Sequence, residues 1–291
     1  MFQNKTYEET LIKEGYTIIP FLNNEELIAL QKFYSDAHPN DEIPDMRYGI
    51  HMTSWCKDGV YKQQITNGLK SILQPASERT FEDFRSNNFV FIIKNKGPYT
   101  TFPIHQDWSV IDETKFMSFN VWIPLQDVDQ NTGALWIIKG SHRLDRHVRG
   151  ANILFPDYSY LSKELKPFMH PMNAKAGQAV IFFHSTIHGS PPNVHEKLRK
   201  VACFTVLPKE APLQIFFQKD EHSPLEIHQP DDEFMFKYDD INSESFVKPP
   251  TNQPVKILPP YSCEKVTMEE LIEVTKENYP KKKGFFDKIF H

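Results

Sequence analysis

The chain is poor in several residues and patterns that would commit it to common designs. Its 291 residues hold three cysteines, Cys56, Cys203 and Cys263. They are far apart, odd in number and form no CxxC pair, so neither a disulfide framework nor a thiolate zinc site is indicated. Glycine is scarce, at 11, and no GxGxxG, P-loop or GxSxG pattern occurs, which removes the dinucleotide, phosphate-loop and nucleophile-elbow signatures. No apolar run approaches the ~20 residues that span a bilayer. The opening MFQNKTYEET has no apolar centre of the signal-peptide kind, and a cytoplasmic setting is the expectation. Basic residues are not concentrated outside the last dozen positions and the formal charge is −5, so nucleic acid is not an expected partner. Repeats and long low-complexity segments are missing too.

What is abundant is phenylalanine, at 23, and proline, at 22. The apolar segments are short, rich in Phe, Ile and Val, and broken by Pro, Asn and Asp, which suits a sandwich or barrel better than a helix bundle. Residues 5–14 predict a helix ended by Gly15, and GYTIIPF a strand. A second helix is expected at 25–36 and a third at 68–85, with Pro75 inside it and a loop at 37–60 between them. From residue 88 the character changes to strands: FVFIIK (89–94), PIHQDW, FMSFNVWIPL (116–125), GALWIIKGSH, AVIFFH (179–184), RKVACFTVL (199–207) and LQIFFQ (213–218). The stretch 141–175 has no period and reads as an insertion. Thr267 and Glu270 form a capping box for a helix at 268–278. The expected organisation is a single domain over 1–291: an N-terminal helical region (1–87), a β core (88–218) and a C-terminal lid or tail (219–291). The fold class is mainly β with flanking helices, a cupin-like jelly roll; the lack of strand–helix alternation through the middle disfavours a doubly wound sheet.

His105 and Asp107 stand two apart in a predicted strand, so both side chains project to one face. Two His and one carboxylate form the facial triad that holds non-haem Fe(II) and leaves positions open for co-substrate and O2. FFHSTIHGSPPN (182–193) offers His184 and His188 for the third position. His188 is the better candidate, at a strand end that could open into a barrel mouth; His184 fits a core or supporting place. Arg199 begins the next apolar strand on the face of Val201 and Cys203. A buried guanidinium needs an anionic partner, and its fork fits a carboxylate, so a dicarboxylate reaching from a metal to Arg199 satisfies both.

The succession HxD, WIPLQDVDQNTGALWIIKGSH, then HGSPPN followed by Arg resembles the phytanoyl-CoA dioxygenase family, as does EGYTIIPFLNNEELIALQ near the start. The resemblance spans roughly residues 7–208. It implies a double-stranded β-helix, an Fe(II)/2-oxoglutarate-dependent dioxygenase, and His105, Asp107 and His188 as metal ligands and catalytic centre. It also implies that Arg199 binds the distal carboxylate of 2-oxoglutarate with Ser190 beside it, that Trp122 is an aromatic on the co-substrate side, and that Lys94 is a basic contact. One departure is His195, where the family often has serine two residues after the Asn of this stretch.

The implied reaction is hydroxylation of an aliphatic C–H bond in a small-molecule or carrier- or CoA-linked substrate, with O2 consumed and succinate and CO2 released. Related halogenases lack the carboxylate ligand, so Asp107 argues for hydroxylation, with desaturation or ring closure by the same oxidant left open. The rivals are a non-redox metal cupin, which has no need of Arg199, and a non-catalytic small-molecule-binding protein. A CoA ester would favour a basic mouth at Lys139, Arg143, Arg146 and Arg149. Trp108, Tyr99 and His51 are candidate substrate contacts. Residues 221–240 could form a lid, and apolar residues in 281–291 beside Lys281–Lys283 could touch a membrane surface or a partner.

Overall fold

The computed structural model describes residues 1–144, 146–234, 248–262 and 265–276; the segment 281–291 and its suggested contact lie outside the described residues. Three helices come early. Helix α1 (Lys5–Glu14) stops at Gly15, whose φ of 84° is the left-handed conformation glycine adopts without a steric penalty. A Cβ there would stand 2.5 Å from His142 Nδ1. Helix α2 (Asn24–Ala37) opens on a reciprocal capping box between Asn23 and Glu26.

Helix α3 (Gly59–Thr80) begins well before the expected residue 68 and runs through Pro75. Its first turns carry glycine and β-branched residues, which weaken the sequence signal. The Asp58 cap and the buried stripe Ile65, Leu69 and Leu73 hold them helical.

Thirteen strands follow the chain among the described residues: β1 (Tyr16–Pro20), β2 (Ile50–Met52), β3 (Phe84–Lys94), β4 (Phe102–His105), β5 (Phe119–Pro124), β6 (Trp136–Ile138), β7 (Met169–Pro171), β8 (Gln178–Phe183), β9 (His188–Ser190), β10 (Arg199–Pro208), β11 (Ile215–Phe217), β12 (Leu225–His228) and β13 (Lys256–Leu258). The major sheet has the order β1-β8-β5-β10-β3-β2 and the minor sheet β4-β9-β6-β7, with β11-β12-β13 as a third. All strand pairs are antiparallel, which bears out the mainly β, jelly-roll class.

The pleat of the major sheet sorts its side chains into two cores. Phe119, Val121 and Ile123 of β5, with Phe204 of β10 and Phe91 of β3, pack against the apolar stripes of the three helices. The alternate residues Trp122, Val180, Phe182, Val201 and Cys203 face the minor sheet and meet Leu135 and Ile137. The molecule is therefore layered as helices, major sheet and minor sheet, with a cavity between the two sheets.

Three sequence expectations need correction. The loop at 37–60 contains β2, which is only three residues long and too short to show a period. The region 1–87 supplies, besides its helices and the expected strand β1, also β2 and the start of β3 to the major sheet. The insertion 141–175 contains β7 near its end, paired with β6, so that strand belongs to the minor sheet.

Candidate metal centre

His105 is the last residue of β4 and His188 the first of β9, and the two are direct cross-strand partners. Asp107 lies just past the end of β4, not within a strand as its spacing suggested. Its backbone N–H donates to His184 O at 3.0 Å, and its backbone carbonyl accepts from Arg149 Nε at 2.7 Å. The carboxylate is thereby turned toward both histidines: Nε2 of His105 is 3.5 Å from Oδ1, and Nε2 of His188 is 3.7 Å from Oδ2. One donor atom from each of the three residues lies within 4.8 Å of the others.

The tautomers suit a metal. His105 Nδ1 is 2.8 Å from Pro103 O and His188 Nδ1 is 2.9 Å from Thr186 O. A carbonyl only accepts, so each Nδ1 carries the proton and each Nε2 offers its lone pair inward. Burial pushes the His188 pKa down to about 4, so the ring is neutral at pH 7. Burial alone would raise the Asp107 pKa, but the neighbouring His188 and His105 hold it below the usual carboxylate range. His188 and Asp107 are thus in the protonation state a divalent cation requires. Two imidazoles and one carboxylate on one side fit the donor set of non-haem Fe(II).

His184 is not a ligand, because both of its nitrogens are engaged. Asn120 Oδ1 lies 3.2 Å from His184 Nε2 and can only accept, so Nε2 donates. Nδ1 then accepts from Ser118 Oγ at 2.7 Å. Asn120 in turn donates from Nδ2 to Asp107 Oδ2 at 2.7 Å, while Thr205 Oγ1 donates to its Oδ1 at 3.0 Å. Asn120 therefore ties the carboxylate of the minor-sheet edge to the floor of the major sheet. A second tie is the buried Arg149, which pairs with both oxygens of Glu113 at 2.8 and 2.7 Å while holding the Asp107 backbone. Burial works to raise the Glu113 pKa, yet Arg149 keeps it down at about 2.

The cavity between the sheets measures about 220 Å³, and its lining includes the triad, Trp122, Ser190 and Arg199. Arg199 is 2% exposed. Its Nη1 donates to Gly133 O at 3.1 Å, but its buried Nε has no hydrogen-bond partner among the described residues. Its guanidinium carbon lies 5.5 Å from the centre of the Trp122 ring. Burial lowers its pKa to about 10, which leaves it cationic at pH 7. A buried guanidinium with an unpaired N–H and no acidic partner among the described residues suits an anionic ligand. The alternative pairing of Arg199 with Glu196 does not occur, since Glu196 binds Lys96 at 2.5 Å.

Lys94 is buried and does not line the cavity; its Nζ donates to Ser190 Oγ at 2.5 Å and Pro191 O at 2.7 Å. Burial and the adjacent Arg199 push its pKa down to about 5. Lys94 thus stands behind Ser190 and fixes its hydroxyl. His195 fills the turn where serine was expected: its N–H donates to Asn193 Oδ1 at 3.0 Å, and its Nδ1 accepts from Lys197 N at 3.2 Å.

Other candidates fall elsewhere. Trp108 lines the cavity, whereas Tyr99 is 63% exposed and off its wall. His51 is wholly buried beside Tyr61, whose hydroxyl is 3.1 Å from His51 Nε2, and does not face the cavity. Cys203 is buried and forms part of the cavity floor. Among the described residues no helix is long and apolar enough to cross a membrane.

Comparison with known proteins bears on the fold and the family. Among solved structures, the epimerase SnoN aligns over 90% of this chain and 96% of its own, with a TM-score of 0.52 at 12% identity. The carbocyclase SnoK from nogalamycin biosynthesis aligns over 72% and 86%, with a TM-score of 0.51 at 17% identity. HygX from Streptomyces hygroscopicus aligns over 71% and 88%, with a TM-score of 0.50 at 12% identity. At these identities the likeness is one of fold. A curated relative from Danio rerio, phytanoyl-CoA dioxygenase domain-containing protein 1, is 30% identical over 129 residues, 42% of this chain and 44% of that protein; the match thus spans under half the relative's length. The family model for phytanoyl-CoA dioxygenase (PhyH) matches residues 25–201, well over half of the sequence, and the chain belongs to that family.

Proposed function

We propose that the protein is an Fe(II)- and 2-oxoglutarate-dependent oxygenase that hydroxylates an aliphatic C–H bond of a small molecule. The observation that carries this reading is one cavity holding both a His–Asp–His donor set and, separately, a buried arginine with an unpaired N–H. A metal cupin without a co-substrate uses the first and has no need of the second. Support comes from similar folds: SnoN was solved with Fe3+ and alpha ketoglutarate, and HygX with nickel and 2-oxoglutarate.

When bound, iron and 2-oxoglutarate supply the oxidant, one O2 yielding succinate, CO2 and the oxygen atom placed on the substrate. The chain does the positioning. His105, Asp107 and His188 hold the metal from one side, and Asn120 and Arg149 keep the Asp107 carboxylate aimed. Arg199 anchors the far carboxylate of the co-substrate, with Ser190 held beside it by Lys94. Trp122 closes the floor between them and keeps water from the bound dicarboxylate.

The test is succinate release from 2-oxoglutarate in air with added Fe(II). Wild type releases succinate slowly even without substrate, Arg199→Ala needs far more 2-oxoglutarate, and His188→Ala releases none. Metal binding with no 2-oxoglutarate turnover would replace this reading by the non-redox cupin, and equal release by wild type and His188→Ala would remove the triad from the chemistry.

A further inference from the structure

Resting on the oxygenase reading above, we propose that the substrate is an uncharged, largely apolar molecule whose hydroxyl or carbonyl oxygen is held by Asn87 and Asn88. Strand β3 carries a bulge at this point, where its register against β10 shifts between Cys203 and Thr205. Asn88 has φ 53°, a left-handed conformation that asparagine tolerates better than most residues. Up to the bulge, alternation sends Phe89, Phe91 and Ile93 to the helix side and Val90 and Ile92 to the cavity. Regular pleating would put Asn87 on the helix side with Phe89. The bulge turns it back, so both consecutive amides line the cavity.

The Asn87 side chain is 7% exposed, and its Nδ2 has no hydrogen-bond partner among the described residues. Ser54, also on the cavity wall, is 4% exposed with an equally unpartnered Oγ. Buried polar groups are nearly always paired, and two orphans on one cavity wall mark where a ligand's oxygen belongs.

Position separates this subsite from the co-substrate. Asn87 pairs with Thr205, and Thr205 pairs with Asn120, the residue that holds Asp107. The amide thus lies two strands over from the metal's anchor. Arg199 is six positions back along β10, roughly 20 Å away at ~3.3 Å per residue. A molecule docked at Asn87 therefore reaches the metal from the end opposite the dicarboxylate.

Charge decides the class. Apart from the triad and His184, the cavity's described lining contains one ionic side chain, Arg199, which the co-substrate occupies. Besides neutral polar groups such as Ser54, Asn88 and Thr205, the lining is largely apolar or aromatic and includes Trp108, Val110, Leu213 and Phe155, the last stacked on His105 at 5.6 Å between ring centres. A charged substrate group there would be left unpaired, which such a wall disfavours.

The four cations that suggested a CoA mouth are committed elsewhere. Arg149 pairs with Glu113, Lys139 with Glu14 at 2.7 Å, and Arg146 with Glu270 at 3.8 Å, while Arg143 donates to the carbonyls of Val274 and Lys13.

Anaerobic calorimetry on the full chain loaded with Fe(II) and 2-oxoglutarate tests this with matched probes: naphthalene, 1-naphthol, 1-naphthoate, 1-naphthylmethylamine and octanoyl-CoA. The expected result is 1-naphthol binding at least about tenfold tighter than either charged naphthalene. Asn87→Leu is expected to weaken 1-naphthol about fivefold and leave naphthalene unchanged. Asn88→Gly, which keeps the backbone conformation, guards against a folding defect and is expected to weaken 1-naphthol as well. Tighter binding of a charged probe or of octanoyl-CoA, or 1-naphthol affinity untouched in both variants, would overturn the proposal while 2-oxoglutarate still binds. Failure of wild type to bind 2-oxoglutarate would be a different result, removing the oxygenase reading and this proposal with it.

Discussion

The two sheets that enclose the cavity are built very differently. The major sheet contains strands of eleven and ten residues, β3 and β10, covered by helices on one face and by the minor sheet on the other. In the minor sheet no strand exceeds four residues, yet this sheet carries both histidines of the proposed metal site. Long strands with two buried faces supply stability through apolar burial. Short strand ends supply side-chain direction, and here they are braced from outside by Asn120 and Arg149. The difference implies that folding and metal binding are largely separable in this molecule.

The largest effect that could break that separation is at the ligands. His188→Ala or His105→Ala is expected to weaken Fe(II) or Zn(II) binding by more than about 100-fold, beyond the usual loss at outer-sphere partners, with the metal-free melting temperature nearly unchanged. Parallel loss of stability by thermal denaturation would show that the minor sheet needs its histidines to fold.

The reverse experiment is Phe204→Ala on β10. Phe204 is fully buried and stacked on Phe89 at 5.0 Å between ring centres. Its loss should cost about 3–5 kcal/mol in chemical denaturation, with metal affinity per folded molecule retained. Between these lies Asn120→Ala, which cuts the tie between the sheets. A drop of about 10–100-fold in metal affinity is expected, and unchanged affinity in a calorimetric titration would make Asn120 structural only.

The smallest effect is with pH. His51 and His142 are buried away from the metal ligands, and burial lowers their pKa values from 6.5 to about 4 and about 3. Between those values and 6.5 the unfolded chain binds protons that the folded chain does not, so stability falls as pH falls through that window. Melting temperature measured in metal-free protein should be level above pH 7 and decline steadily toward pH 4; a maximum near pH 5 would contradict the burial of these rings.

This same contrast explains what could be read in the sequence. The segment FMSFNVWIPL located β5, and α1 and α2 were legible from periodicity and caps. In the minor sheet β4 and β6 fall within the segments PIHQDW and GALWIIKGSH that read as strands, whereas β7 and β9, three residues each, are too short for a period. That sheet's place came instead from chemistry: His105, Asp107 and His188 in order, then Arg199. The supporting residues were less visible. Asn120 did carry a signal, a polar residue on the non-core face of an otherwise apolar strand. Arg149 and Glu113 lie in irregular segments that no pattern connects. Asn87-Asn88 reads locally as a turn, and only pairing with β10 makes it a bulge within a long strand.

The most direct test of the account is an anaerobic titration of metal-free protein with Fe(II) and 2-oxoglutarate, following the visible absorption that an iron-chelated 2-oxoacid gives. Wild type should develop the band with one Fe(II) and one 2-oxoglutarate per chain. His188→Ala should develop none, and Arg199→Ala should need far more 2-oxoglutarate to reach it. Tight Fe(II) binding by wild type with no band at any 2-oxoglutarate concentration would contradict the pairing of triad and arginine on which the account depends.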